Sequence, residues 1–508
     1  MRSKKALIST VVSFVLQIVN IIAALIIPRL IIENYGSSVN GLISSITQFL
    51  GYISLLQMGV GGVTRAALYK PLAFQDTKKI SRVIKATEVF FRKVAYISIV
   101  YICALAIIYP YIVENNFGKN FIAIMVIIIG IGTVMQYFFG FPYRLLILAD
   151  QRSYIYDMIQ IVAIFMNVVV TYILINIGCN IQIVKLGSAI VFIIQPIVLN
   201  YYVSKRYSID KKVEPDNVAI EQRWAGMGYS LADFIHRKTD VFILTIMSTL
   251  QEVSVYSVYC VVTNGLNSII TMATNSFQAA LGDMIAKKEE IVLKETLNLY
   301  IFLVHLISSI VFSVAIIMIL SFVRLYTKGI YDVNYERPIF AILILLAEMV
   351  YCMRQPYQSL VFAAGKFRET QKGAITEAII NIIVSMILVN YLGLVGVAIG
   401  TFIAMIFRTV DLVKYLSSSM LDYKYSEFIK RYVISFSSVV ISYILCRQIP
   451  IKCSTFFIWI VYAIVISVLI GSIICLINYV FYRNEFKNTV KKFSLVFRSM
   501  TKRGEKND

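Results

Sequence analysis

The chain has 508 residues, of which 59% are hydrophobic and 15% are charged, and its mean hydropathy is +0.77. A soluble domain carries about 25% charged residues, so this composition argues against a soluble enzyme, a nucleic-acid-binding protein and a disordered protein. The 48 Lys and Arg against 28 Asp and Glu give a formal net charge of +20. We therefore predict a polytopic membrane protein, in which the location of the positive charges is the informative feature.

A membrane-spanning helix needs about 20 mostly apolar residues. Fourteen stretches meet this requirement, and we number them as spans 1 to 14: about 6–32, 39–61, 88–110, 121–147, 154–176, 182–203, 226–249, 253–281, 296–322, 339–363, 373–391, 394–414, 431–447 and 454–482. Unbroken apolar runs such as FIAIMVIIIGIG favour helices over the short alternating strands of a membrane barrel. The first stretch lacks a small-residue cleavage site, which indicates a retained span. The predicted fold class is all-α.

The basic residues predict the orientation. If the N-terminus is cytoplasmic, the cytoplasmic segments hold 37 of the 48 Lys and Arg and the outer segments hold 8. This bias follows the positive-inside rule and places both termini in the cytoplasm. The remaining three, Arg237, Lys238 and Arg354, lie at membrane depth. No loop is long enough for a separate folded domain, so the helix bundle itself is predicted to carry the function.

The two halves of the chain resemble each other at a nearly constant offset. The segment FFGFPYRLLILADQ (138–151) aligns with CMRQPYQSLVFAAG (352–365), so that Pro142 matches Pro356 and Tyr143 matches Tyr357. Six spans separate the halves, which predicts a parallel repeat. We predict an N-terminal six-helix lobe at 1–215, a C-terminal six-helix lobe at 216–425, two additional helices at 426–482 and a basic cytoplasmic tail at 483–508.

Span 7 carries an unusual group of charges, since ionisable side chains inside a membrane are costly and are functional candidates. The group comprises Asp233, His236, Arg237, Lys238 and Asp240. Asp233 and Arg237 are four residues apart, as are His236 and Asp240, so they can pair on one helix surface. We predict a charged wall of a water-filled cavity. The alternative is a later helix start that leaves these residues at the cytoplasmic surface.

Span 10 places Arg354 near its middle, two residues before Pro356, which we expect to kink the helix. A guanidinium can hold a phosphate with two parallel hydrogen bonds. The alternative is a structural ion pair with Glu348 or Glu377.

Three further arginines lie near the predicted mouths of the bundle. Arg29 follows Pro28 at the outer mouth, where it contacts a headgroup or extends its side chain to the interface. Arg65 and Arg144 lie near the cytoplasmic face, as candidates for a gate or as charges that set the topology. His305 is predicted to be structural, with a proton-relay role as the alternative.

Motifs for catalysis or metal binding are absent from the sequence. There is no Walker A, GxSxG or HExxH motif, and the seven cysteines show no CxxC spacing. We therefore predict a transporter without a cofactor or metal, and not an enzyme.

Two segments resemble a known family. PRLIIENYGSSVNGL (28–42) is similar to the junction of the first two helices in Wzx-type polysaccharide flippases of the multidrug/oligosaccharidyl-lipid/polysaccharide exporter superfamily. TDVFILTIMSTLQEVSVYSV (239–258) resembles the corresponding place in the second half. Asp240 fits the family's acidic residue, Ser254 stands where glycine is usual, and Val241 stands where arginine is frequent.

The resemblance implies two lobes that form a V around a central cavity, in a bacterial plasma membrane. It implies alternating access that moves an undecaprenyl-diphosphate-linked oligosaccharide from the inner to the outer leaflet. The implied partners are membrane lipids, a coupling H⁺ or Na⁺ and polysaccharide polymerase machinery, with the protein acting as a monomer and without nucleic acid. The expected substrate-binding cations are Arg29, Arg237, Lys238 and Arg354, the coupling or charge-pairing residues are Asp233, His236, Asp240 and Glu348, and the gate residues are Arg65 and Arg144.

Three alternatives remain open. A peptidoglycan lipid-precursor flippase would share the fold and the cationic cavity. A multidrug cation antiporter of the same fold would favour acidic residues, yet spans 1 and 2 have no mid-span Asp or Glu. A polytopic polysaccharide polymerase or ligase would be expected to carry a large outer loop, whereas the longest outer loop here is the short segment 323–337.

Overall fold

The computed structural model describes residues 2–57, 59–113, 117–210, 212–224, 238–419, 425–449, 453–489 and 491. Within these ranges the secondary structure is helical, and no strand occurs among the described residues. The predicted all-α fold is therefore confirmed. Helices are the expected solution, because hydrocarbon offers no hydrogen-bond partners to the backbone.

Among the described residues of the first half there are eight α-helices and two short 3₁₀ helices. The α-helices are α1 Arg2–Tyr35, α2 Ser37–Gly51, α3 Val60–Ala73, α4 Thr77–Ile112, α5 Lys119–Phe139, α6 Phe141–Ala149, α7 Ser153–Asn176 and α8 Ile181–Arg206. The 3₁₀ helices are Tyr52–Gln57 and Val218–Trp224.

The second half begins with α9, of which residues 238–247 are described. It continues with α10 Leu250–Ala286, α11 Glu290–Tyr326, α12 Pro338–Ala363, α13 Phe367–Leu392, α14 Leu394–Ser419, α15 Tyr425–Cys446 and α16 Phe456–Phe481.

Thirteen of the described helical segments are long and apolar enough to cross a membrane. They match the predicted spans except span 7, whose first half, 226–237, lies outside the described residues. Two predicted spans are discontinuous: span 2 changes from α2 to a 3₁₀ helix before the sequence GVGG, and span 4 divides at Gly140 into α5 and α6. By contrast, α12 runs unbroken through Pro356.

The helix boundaries repeat along the chain. The stretch from Ser37 to Ala73, which holds α2 and α3, corresponds at both ends and in length to α10, Leu250–Ala286. The same offset relates both ends of α8 to those of α14, and it relates the ends of α4 to those of α11 to within a single position. The coincidence confirms the predicted parallel repeat at the level of secondary structure.

Several helix starts have a local side-chain cap, which satisfies backbone N–H groups that have no partner inside the helix. Asp76 accepts from the backbone N–H of Lys79 at 3.0 Å before α4, and Asn180 accepts from that of Ile183 at 3.0 Å before α8. The Lys79 N–H holds the pKa of the Asp76 carboxyl below its usual range.

The chain divides into two compact units. Unit 1 comprises Met1–Val261 and Gly329–Asn334, and unit 2 comprises Val262–Lys328 and Tyr335–Asp508. Leu42, Ile46, Phe91, Met125 and Val126 belong to the buried core of unit 1. In unit 2 the added helix α16 packs on α11 through Met318, Ile466, Ile470 and Ile474. The lobe limits at 215 and 425 remain predictions.

The sharp junction between α1 and α2 depends on one glycine and one distant aspartate. Gly36 has φ of +84°, a conformation that residues with a side chain rarely adopt. It has no side chain to cap α2, and Asp332 in the segment 329–334 supplies the cap instead. One Asp332 oxygen accepts from the backbone N–H of Ser37 at 2.7 Å, and the other accepts from the Ser37 hydroxyl at 2.7 Å.

Asp332→Ala is expected to loosen this junction. Loss of a helix cap costs about 1–2 kcal/mol, which corresponds to an opening about 5- to 30-fold more frequent. Hydrogen exchange measured by mass spectrometry should accelerate by that factor at the start of α2. Tyr331→Ala is the matched control, because this neighbouring side chain is 92% exposed. Equal exchange in both variants would show that Asp332 does not cap α2.

Candidate functional site

The charged group of span 7 is only partly described. Asp233, His236 and Arg237 lie outside the described residues. Lys238, at the start of described α9, donates from its ammonium to the Gln48 side-chain oxygen on α2. Asp240 is buried and accepts a hydrogen bond from the Tyr256 hydroxyl at 2.8 Å. Both described charges therefore have partners inside unit 1.

A layer of polar side chains joins α2 to α9 and to the start of α10, and we call it the α2 polar layer. The Asn40 amide donates to the Ser254 hydroxyl at 2.8 Å, and the Ser45 and Thr245 hydroxyls are 2.6 Å apart. The layer comprises Asn40, Ser45, Gln48, Lys238, Thr245 and Ser254. Ser254 thus provides an acceptor for Asn40.

Arg354 lies in a buried ion cluster of unit 2. Its guanidinium donates to Glu377 on α13 at 2.6 Å, and the Arg408 Nε on α14 is 3.7 Å from the other Glu377 oxygen. Arg408 also donates to Asp411 at 2.7 Å. The exposed fractions of the Arg354, Arg408 and Glu377 side chains are 2%, 1% and 5%. Two cations and two carboxylates thus balance, in agreement with the structural alternative for Arg354.

The members of the cluster lie at a common depth. Arg354 precedes the end of α12, Glu377 follows the start of α13 and Arg408 precedes the end of α14, in each case by about three helical turns. At 1.5 Å per residue, the three residues lie about 15 Å from the predicted cytoplasmic ends of their helices. This distance is half the thickness of the hydrocarbon core. The pairing offsets the cost of holding charge at this depth.

Close helix packing brings the cluster together. A side chain at Gly373 on α13 would place its Cβ 1.8 Å from an Asp411 oxygen and 2.4 Å from an Arg408 nitrogen. A Cβ at Gly400 on α14 would meet the Ser385 hydroxyl at 2.1 Å. Small residues at such contacts allow membrane helices to approach closely.

The sequence-based prediction assigned two buried cations incorrectly to the cytoplasmic loops. The positive-inside count placed Arg408 in the cytoplasmic segment 408–431, but Arg408 lies inside α14, which extends to Ser419, and its side chain is 1% exposed. Arg431 is 4% exposed on α15 and pairs with Glu485 at 3.4 Å. Both arginines lie at or near the ends of predicted spans, where the sequence does not distinguish a buried charge from a loop charge, and neither belongs to a recognisable motif.

Glu348 and His305 have partners on neighbouring helices. Glu348 on α12 accepts from the Asn267 amide of α10, and the same amide's oxygen is 2.9 Å from the Cys352 sulfur. The His305 Nδ1 is 3.0 Å from the Ser435 hydroxyl on α15. His305 is therefore part of a contact that attaches the added helix α15 to α11.

The arginines predicted at the two mouths have different surroundings. Arg29 lies on α1, 3.4 Å from Glu33, and its side chain is 26% exposed. Arg65 is exposed and donates to the Gly61 carbonyl of its own helix at 3.2 Å. Arg144 is partly buried, with its guanidinium 4.4 Å from the Tyr156 ring centre. Their substrate and gating roles remain predictions. Among the described residues, no three His, Cys, Asp or Glu side chains are placed to hold a metal.

No protein-family model and no curated protein matches the chain, but solved structures match its fold. The inward closed conformation of the lipid II flippase MurJ aligns with a TM-score of 0.69 at 13% identity, over 94% of this chain and 99% of that chain. An inward-facing multidrug resistance MATE family transporter of the MOP superfamily aligns with a TM-score of 0.59 at 13% identity, over 81% and 98%. A eukaryotic MATE transporter aligns with a TM-score of 0.59 at 14% identity, over 86% and 99%.

These similarities identify the fold of the chain. The chain has a helical fold like that of MurJ and of the MATE transporters. These structural neighbours are a lipid flippase and a multidrug transporter, and the transporter role of this chain remains a prediction. At such low sequence identity the likeness shows the fold alone, and the transported substrate belongs to the proposal that follows.

Proposed function

We propose that the protein is a flippase that moves a polyprenyl-diphosphate-linked oligosaccharide from the inner to the outer leaflet of a bacterial plasma membrane. The observation that carries this proposal is the fold similarity to MurJ, which takes in 94% of this chain and 99% of that chain. The MATE alignments cover 81% and 86% of this chain. The similarity to a lipid flippase thus includes more of the chain than the similarities to drug transporters do.

The chemistry of such a substrate explains why charged residues lie within the spans. A diphosphate and a saccharide cannot cross hydrocarbon unless polar groups replace their water. Lys238 in the α2 polar layer and Arg29 on α1 are the described cations of unit 1 that we assign to the diphosphate, together with Arg237. Tyrosines and the layer's amides and hydroxyls would hydrogen-bond to the sugar. No covalent step is required.

Arg354 is a weaker candidate for binding the diphosphate than Lys238 and Arg29, and the carboxylates are candidates for ion coupling. Arg354 already contacts Glu377 at 2.6 Å, so a phosphate would have to compete with that carboxylate. Asp240 and Glu348 are the described candidates for coupling to H⁺ or Na⁺, because each is a carboxylate within a predicted span.

A reconstitution experiment tests the proposal. The full chain is placed in vesicles with a fluorescent undecaprenyl-diphosphate oligosaccharide, and a membrane-impermeant quencher measures how fast the lipid changes leaflet. We expect an acceleration of at least about tenfold over protein-free vesicles, equivalent to ~1.4 kcal/mol of barrier. A fluorescent phosphatidylcholine serves as the control lipid and should not be accelerated.

The second candidate is a lipid II flippase, which the TM-score of 0.69 to MurJ favours. Fluorescent lipid II in the same vesicles separates the two candidates by their relative rates. Transport of an organic cation, with neither lipid accelerated, would reject the flippase proposal in favour of an antiporter.

A further inference from the structure

A small pocket with a mainly apolar lining lies in unit 1 at the junction between α5 and α6. Its lining includes Phe141, Arg144, Tyr156, Gln195, Pro196 and Leu199. Its volume is about 10 Å³, room for about one water-sized oxygen atom. Pro142 lacks the N–H of a normal helix residue, and the chain bends here so that the first turn of α6 faces α8.

Two buried hydrogen-bond donors of the lining have no hydrogen-bond partner within the described part of the chain. The Gln195 Nε2 and the Arg144 Nε form no hydrogen bond with any described residue, and Gln195 is 4% exposed. The Tyr156 hydroxyl lies near the Gln195 amide. A buried donor without a partner costs about 1–3 kcal/mol, so a ligand that supplies acceptor oxygens would be favoured. Ring contacts hold Arg144 in place, 4.4 Å from the centre of Tyr156 and 5.9 Å from that of Phe141.

The charge of the lining favours binding of an anion. It contains one cation and no carboxylate, whereas Arg354 in unit 2 is already held by Glu377. At the offset that matches Pro142 to Pro356, Gln358 replaces Arg144 and Arg354 replaces Gly140. The corresponding positions of α12 therefore carry different side chains from those of α6.

The depth of the pocket suits a lipid phosphate. Arg144 lies in the second-last turn of α6, and Tyr156 lies in the first turn of α7. These residues are thus about 5–8 Å from the predicted cytoplasmic ends of their helices, near the level of the inner-leaflet headgroups. Phe141, Pro196 and Leu199 add apolar walls beside the donors.

We propose that the Arg144–Gln195 pocket binds a phosphoryl oxygen of a polyprenyl-diphosphate headgroup on the cytoplasmic side, as a receiving site for the substrate. The choice of this lipid rests on the proposed function. The guanidinium of Arg144 and the amide of Gln195 together hold the oxygen, and the polyprenyl chain remains in the bilayer.

Binding of farnesyl diphosphate to the purified full chain tests this site by titration calorimetry. Arg144→Gln and Gln195→Glu should each weaken binding at least about tenfold, because a charged hydrogen bond contributes ~1.5–3 kcal/mol. Gln195→Glu keeps the side-chain size and pairs with Arg144, so it is expected to fold. Lys205→Gln is the matched control, since it removes a cation stacked on Tyr201 at 4.6 Å, on the exposed end of α8, and should bind as the wild type does.

The other probes identify the source of the phosphoryl group. Farnesol should not bind, and inorganic pyrophosphate should bind much more weakly than farnesyl diphosphate. Equal affinity for pyrophosphate and farnesyl diphosphate would overturn the lipid assignment, and wild-type affinity in both pocket variants would overturn the site. If the variants lose binding while wild-type vesicles flip no oligosaccharide lipid, the pocket stands and the proposed function fails. If wild-type vesicles flip the oligosaccharide lipid while the variants bind farnesyl diphosphate as the wild type does, the proposed function stands and the pocket assignment fails.

Discussion

Glu377→Gln is expected to lower the free energy of unfolding by about 3–5 kcal/mol, the usual cost of removing one partner from a buried ion pair. The substitution keeps the shape of the side chain but removes the negative charge that Arg354 contacts at 2.6 Å and Arg408 approaches at 3.7 Å. Thermal unfolding of the detergent-solubilised protein measures the loss. The variant should unfold well below the wild type.

Glu369→Gln is the matched control on the same helix. Glu369 forms an ion pair with Lys366 at 3.1 Å, but the two side chains are 41% and 47% exposed. Exposed pairs contribute little because water and salt screen them, so the unfolding temperature should hardly change. If both glutamine variants unfold alike, Glu377 does not neutralise the buried arginines.

A double variant separates the structural role of Arg354 from substrate binding. Replacing Arg354 by Met and Glu377 by Leu removes both charges together, and such exchanges are often neutral or stabilising. Arg408 keeps Asp411 at 2.7 Å. The double variant should therefore be more stable than the single Glu377→Leu. If it also flips lipid normally, Arg354 is structural; a folded but inactive double variant would assign Arg354 to the substrate.

Charge reversal at Arg354 alone is a poorer test. It would place two carboxylates in contact with each other beside a single remaining arginine, so that loss of folding and loss of binding would give the same phenotype. The ion cluster thus changes how the sequence-based hypothesis for this residue has to be tested.

The length and order of the helices were predictable from the sequence. The predicted start of span 10 at residue 339 and the observed start of α12 at Pro338 differ by one residue, because long apolar runs have few alternatives in a bilayer. The repeat was also visible in the sequence, since Pro142 and Pro356 keep their spacing within each half.

The partners of the charged residues were not predictable in the same way. Ser37 and Asp332 are 295 residues apart, and Asn40 and Ser254 are 214 apart, and no local pattern connects such pairs. Arg408 lies near the cytoplasmic end of predicted span 12, which is why the positive-inside count assigned it to a loop. Its burial depends on Glu377 and on the close approach at Gly373, which are tertiary properties.

Gly41 shows how such a tertiary contact controls the α2 polar layer. A Cβ at this position would lie 1.8 Å from the Leu250 carbonyl oxygen and 2.7 Å from its carbon. Both atoms belong to the backbone at the start of α10, so no side chain can rotate away to make room. The absence of a side chain at Gly41 lets the neighbouring Asn40 reach Ser254 at 2.8 Å.

Gly41→Ala is therefore expected to destabilise the protein by at least about 3 kcal/mol, at the upper end of overpacking effects, although alanine favours helix by about 1 kcal/mol. Gly62→Ala on α3 is the control, because no atom lies within 4 Å of its Cβ, and it should be neutral or slightly stabilising. Thermal unfolding of both variants measures the difference.

The rate of lipid flipping should also fall in Gly41→Ala, since α2 and α10 must separate and the Asn40–Ser254 bond lengthens. If Gly41→Ala is as stable as the wild type, α2 and α10 do not approach each other as described. The α2 polar layer then cannot be the contact that holds Lys238 beside Gln48.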